Sequence, residues 1–249
     1  MSQTRQGEPL VRGYAVTQPA GEVRLPTQSG WDQVVYARGG LVVARTERGT
    51  WTVPAHRALC IGDGTRITLT TRRPTPIRCL YFQAHLGVLD ASVAAITIGP
   101  FARELFLRAV ERCPLDLDTA VGSALLTLLL EELAVGPASA LELPLPTDPV
   151  ARLLAERLMA APVMPLVAAV AAVGASRRTL ERRFVSETGL TLAAWHRRSR
   201  VLGSIDLLDD GRTVTDAAVA AGYATPSSFV AAFKSELGTT PRAFMIARP

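Results

Sequence analysis

The sequence predicts an α+β chain: a β-barrel with a helical extension, then an all-α domain of two helix–turn–helix units joined by a linker helix. Three observations lead there. Short β-branched and aromatic runs fill residues 11–82. Apolar residues at helical spacing follow. Beyond a Pro-rich stretch at 136–149, the text is written twice with a shift of 49 residues.

The strand-like runs are WDQVVYA, GLVVART, GTWTVPA, RALCIGDG, RITLTT and IRCLYF. Gly and Pro divide them every few residues, the pattern of a sandwich or barrel. From Gly99 to Val135 the period changes. PFARELFLRAVERC places Phe101, Leu105 and Val110 near one face, and LDTAVGSALLTLLLEEL is more apolar still. Such a broad apolar surface has to be buried against the barrel or a second subunit, so this segment is a candidate homodimer surface. GPASALELPLPTDP, with four prolines, reads as a semi-rigid linker. The expected domains are therefore 1–135 (barrel about 11–82, helices about 99–135), the linker 136–149, and 150–249. Asp148 followed by Pro149 reads as an N-cap and first helical position.

Bulk composition narrows the function classes. With 249 residues, 48% hydrophobic and 20% charged, the chain is globular and long enough for two cores. A net charge of +5 permits a polyanionic partner without requiring one. Cys60, Cys79 and Cys113 lack the spacing of a disulfide framework or zinc site. The N-terminus has no apolar signal core, and no apolar run reaches bilayer length, so a cytoplasmic protein with no membrane partner is expected. The histidines are His56, His85 and His196, and no GxSxG, GxGxxG or P-loop accompanies them, so no enzyme is expected.

The repeat aligns Val170 with Val219, Ser176 with Thr225, Leu180 with Phe229, Phe184 with Phe233, Gly189 with Gly238 and Trp195 with Phe244. Each copy has a short apolar helix, a tight turn with a Ser or Thr cap, a second helix with an i,i+4 apolar pair, and a glycine. This is helix–turn–helix grammar. In the first copy, Arg178 and Arg182 lie one turn apart, opposite Leu180 and Phe184, and flank Glu181. Arg bonds guanine O6 and N7 bidentately, and Glu accepts from cytosine N4. Arg178, Glu181 and Arg182 are the candidate base readers; Ser176, Arg177 and Arg183 are candidate phosphate contacts. Residues 174–200 hold seven arginines against two glutamates, a local excess of +5. The second copy offers the cap Thr225, then Ser227, Ser228 and Lys234, a weaker set expected mainly to anchor. Trp195 and Phe244 are expected in the core, and His196 in contact with solvent or phosphate.

LERRF, the following TG and W, and the tail AGYATPSSFVAAFKSELGTTPRAF make residues 150–247 resemble the DNA-binding domain of AraC/XylS-type transcriptional regulators. The resemblance implies double-stranded promoter DNA as partner and possible contact with RNA polymerase. It also implies two recognition helices in successive major-groove segments about one turn (~34 Å) apart. WDQVVYARGGLVVARTERGTWTVPAHRALCIGDGTRITL resembles the cupin-type sensor domain of a subset of these regulators, which implies a small-molecule effector. Many of those relatives carry histidines where this chain has Thr27, Ser29 and Arg66. A metal site needs His or carboxylate donors, so neither metal nor other cofactor is expected. Trp31, Tyr36, His56 and Arg66 are the candidate effector residues. Two other readings stand beside this one: a metal-free cupin-domain protein, enzymatic or ligand-binding, with an accessory DNA-binding tail, and an architectural DNA binder that needs no ligand.

Overall fold

The computed structural model describes residues 8–26, 28–55, 57–87, 93–134 and 141–246. They form two compact units, one of residues 8–44 and 53–134, the other of 45–52 and 141–246. His56 and Thr27 lie outside the described residues.

The first unit contains strands β1 (Val11–Gln18), β2 (Gly21–Arg24), β3 (Trp31–Ala37), β4 (Leu41–Arg45), β6 (Arg57–Ile61), β7 (Thr68–Thr71), β8 (Thr75–Gln83) and β9 (Val93–Thr97). β5 (Gly49–Pro54) lies between β4 and β6 in the chain. One antiparallel sheet has the order β1-β8-β3-β6-β9; β4, β7 and β2 lie side by side in another. The cupin-like strand set thus hydrogen-bonds as two sheets and not as one closed ring. Helices α1 (Pro100–Arg112) and α2 (Ala120–Leu133) follow. They bury Leu105, Phe106, Ala109, Leu125 and Leu129 against Val34, Tyr36, Leu80 and Phe82 of the first sheet. Alternation along a strand explains the choice of face: Val34 and Tyr36 point one way, Trp31 and Val35 the other. The Tyr36 ring meets Phe106 edge-on at 5.9 Å. α1 comes so close to β1 that a Cβ on Gly13 would lie 2.8 Å from the Cys113 Cβ and 3.0 Å from the Val110 Cα. Glycine is required there by space, not by backbone angle.

The second unit is helical: α3 (Pro149–Ala160), α4 (Leu166–Ala171), α5 (Arg177–Thr188), α6 (Leu192–Asp209), α7 (Val214–Ala220), α8 (Pro226–Leu237) and α9 (Pro241–Ile246). α6 is the expected linker helix, and it buries Trp195, Ser199, Leu202 and Ile205. Asp148 caps α3 by accepting from the Val150 and Ala151 amides.

The stretch expected as a linker is partly built into this unit. β10 (Glu142–Pro144) pairs antiparallel with Gly49–Trp51 of β5. The Leu145 amide donates to the Arg48 carbonyl at 2.8 Å, and Arg152 reaches the Glu47 carbonyl at 2.8 Å. Leu141, Leu143 and Leu145 are buried. Alternating leucines supply an apolar strand face that composition alone, dominated by proline, had masked. No helix among the described residues is long and apolar enough to cross a membrane.

Candidate nucleic-acid interface

Each repeat folds by the same local rules. Ser176 accepts from the Thr179 amide at 3.1 Å and starts α5; Thr225 accepts from the Ser228 amide at 3.2 Å and starts α8. These caps satisfy donors that a helix start leaves open. Gly189 and Gly238 stop the helices at φ +71° and +74°, a conformation glycine adopts without steric cost. Leu180 and Phe184 are fully buried in the first copy, Phe229 and Phe233 in the second. Phe184 meets Trp195 edge-on at 5.3 Å, and Phe233 meets Phe244 at 5.5 Å. Trp195 and Phe244 are core, as expected. The buried Trp195 indole donates from Nε1 to the Pro144 carbonyl at 2.6 Å, so its one polar atom is satisfied.

The seven arginines of 174–200 do different things. Arg178 and Arg182 are exposed on the outer face of α5, and neither is ion-paired to another described residue. Arg177 Nε donates to Glu181 Oε1 at 2.8 Å, an i,i+4 pair along the same helix. Arg183 pairs with Asp148, the cap of α3. Arg197 and Arg198 both bind Glu236, at 2.7 and 3.1 Å, and the Glu236 side chain is only 7% exposed. Arg200 donates to the Ala221 carbonyl and lies 4.0 Å over the Tyr223 ring. The local excess of +5 is therefore drawn down by acids far away in sequence. What remains is concentrated on α5, where a groove of about 590 Å³ is lined by Arg178, Glu181, Arg182, Val185, Thr191 and Ala193.

A second acid–base clasp holds α5 from its other end. Glu187 accepts from the Thr147 amide at 2.6 Å, the Thr147 hydroxyl at 2.9 Å and the Asp148 amide at 3.0 Å. Those donors, the Asp148 amide foremost, hold its carboxyl below the ordinary glutamate range. Asp148 is lowered too, chiefly by the Ala151 amide and also by Arg183.

A family model described as a helix-turn-helix domain matches residues 169–246. The transcriptional regulator NimR of Escherichia coli K12 is 26% identical over 211 residues, covering 84% of this chain and 77% of its own. The regulator RipA of Corynebacterium diphtheriae is 35% identical over 101 residues, 40% of this chain and 30% of its own. Residues 169–246 are thus a helix–turn–helix domain of the kind found in transcriptional regulators. The crystal structure of unsaturated fatty acid bound ToxT from Vibrio cholerae strain SCE256 aligns over 99% of this chain and 98% of its own, at 11% identity and a TM-score of 0.39.

In the second copy, Ser227 is exposed and follows the cap by two positions, like Arg178. Ser228 is already engaged: its hydroxyl donates to the Thr225 carbonyl at 2.8 Å and accepts from the Thr225 hydroxyl at 3.1 Å. Lys234 is exposed in the last turn of α8. His196, expected at the surface, is buried in α6, and burial lowers its pKa.

The described effector candidates, Trp31, Tyr36 and Arg66, are not gathered into one site. Trp31 is buried, with the Arg12 guanidinium 4.4 Å above its ring. Tyr36 is 1% exposed on the opposite face of β3, under α1. Burial raises its pKa against the opposing pull of Arg103 and Arg38. Arg66 is exposed between β6 and β7. Sequence reasoning passed over a cavity of about 360 Å³ between α1 and the first sheet, lined by Arg38, Arg78 and Arg108. A signal existed: Arg78 shares alternation parity with the buried Leu80 and Phe82, an unusual register for a charge.

Proposed function

We propose that this regulator recognises promoter DNA sequence-specifically with α5 as its principal reading helix, and that it acts in the cytoplasm without catalysing a reaction. The observation that carries this is the pair of exposed arginines Arg178 and Arg182, ion-paired to no other described residue, on a capped helix whose other face is locked into the core. Glu181 reads alongside them. Ser176 and Arg177 grip phosphate at the helix start. Arg183 chiefly holds α5 to the cap of α3. In α8, Thr225, Ser227, Ser228 and Lys234 anchor the second unit on the backbone. Phosphate neutralisation makes binding steeply salt-dependent.

The first unit senses a small molecule and pairs two copies of the chain. The exposed Val121 and Leu128 on α2, together with Phe101 at the start of α1, support that pairing, because a lone chain leaves them in water. RNA polymerase is a further partner of the assembled regulator. Genome-wide footprinting of the purified protein tests the central reading. Protected sites sharing one sequence element, lost in an Arg178→Ala, Arg182→Ala variant, are the expected result. Protection without a shared element removes it.

A further inference from the structure

The cavity beside α1 has a specific origin. Ala15 on β1, Arg78 on β8 and Tyr36 on β3 stand in one cross-strand row, because Ala15 pairs with Arg78 and Tyr36 pairs with Arg78. Arg38, two residues beyond Tyr36, shares that face. α1 is held close at Gly13 and packs Phe106 on Tyr36, so it must span the row. At Ala15 the side chain is too small to fill the space. A hollow of about 360 Å³ results, floored by Ala15, Leu107 and Val110.

The charges around this hollow are unevenly matched. Glu104 pairs with Arg103 at 3.1 Å, and Glu111 with Arg108 at 3.1 Å. Arg38 and Arg78 have no carboxylate partner among the described residues, although Arg78 donates to its neighbour's carbonyl at Ile77. Arg38 is exposed and Arg78 half-buried, so both guanidiniums stand at the open side of the hollow, beside its apolar lining. They suit a planar anion with an apolar body.

We infer that this cavity binds a small organic carboxylate. Its carboxyl lies between Arg38 and Arg78, and its apolar part rests on Ala15, Leu107 and Val110. The assignment deepens, and rests on, the reading of the first unit as an effector sensor. A bound anion would tie α1 to β1, β3 and β8, and α1 packs on α2, the proposed pairing surface.

Calorimetric titration of the full chain with hexanoate and benzoate, their neutral amides, and inorganic phosphate tests it. The acids should bind and the amides should not. Arg38→Gln and Arg78→Gln should each weaken the acids about tenfold. Ala15→Leu, which fills the floor and touches no charge, should weaken them as well. Equal binding by the double arginine variant, binding of phosphate alone, or no binding of either acid overturns the site. Affinity for a footprinted DNA site, measured with and without the acid and with a metabolite extract, separates the two readings. An extract that shifts DNA affinity equally in wild type and double variant removes this site and leaves effector sensing. Acid binding that is lost in the variant but never shifts DNA affinity keeps the site and removes its sensory role.

Discussion

Where α5 carries Arg178, α8 carries Ser227, and where α5 carries Arg182, α8 carries Ala231. Other solvent-facing positions differ as well, but the structural framework is kept. Both helices start on a hydroxyl cap, bury an aromatic or Leu/Phe pair, and stop on a left-handed glycine. One backbone plan has thus been kept while its solvent face was rewritten. The lesson is that the fold of such a helix and its surface chemistry are independent layers: the buried stripe positions the helix, and the opposite stripe sets what it presents.

The largest expected effect tests the shared layer. Phe184→Ala and Phe233→Ala each empty a fully buried aromatic site, and each should cost about 3–5 kcal/mol, read by denaturant unfolding. A much smaller loss at Phe233 would mean that the second copy's core is not the equal of the first. The divergent layer comes next. Arg178→Ala or Arg182→Ala should each remove about 1–3 kcal/mol of discrimination between specific and random DNA, read by competition binding. Ser227→Ala should remove less than either arginine does, and an equal loss would break the ranking of the two helices.

Arg177→Ala has a smaller and different signature. It should reduce the slope of log affinity against log salt by about one while leaving base preference nearly unchanged. A change in preference would show that its bond to Glu181 sets the reading face. The smallest effect concerns the clasp at Thr147, Asp148 and Glu187. Both carboxyls titrate below their ordinary values in the folded chain. Their contribution is therefore complete above the ordinary carboxylate range and lost as pH falls through the depressed folded values. Glu187→Gln should flatten part of this acid-limb dependence in thermal unfolding, and an unchanged acid limb would assign the loss elsewhere.

Much of the helical half was legible in the sequence, because its signals are local. Ser176, Leu180, Phe184 and Gly189 lie within four turns, and their spacing alone specifies cap, stripe and stop. Strand runs and the order of elements were legible for the same reason. The linker was not. Leu141, Leu143 and Leu145 sit among prolines, and their partner, the 45–52 hairpin, lies about a hundred residues earlier in the chain. Which effector candidates share a side was not legible either, because Trp31 and Tyr36 look alike in sequence and differ only in which face of β3 they occupy.

The division is sharpest at the arginines. Sequence by itself determined that a basic cluster rides on the first of two repeated helix–turn–helix units, because helical period and capping act over a few residues. It could not determine which arginines stay available. Tertiary structure alone brings Asp148 to Arg183 and the buried Glu236 to Arg197 and Arg198. Coulomb attraction depends on distance in space, not on separation along the chain. That placement turns seven equivalent-looking charges into struts at some positions and leaves Arg178 and Arg182 exposed on α5.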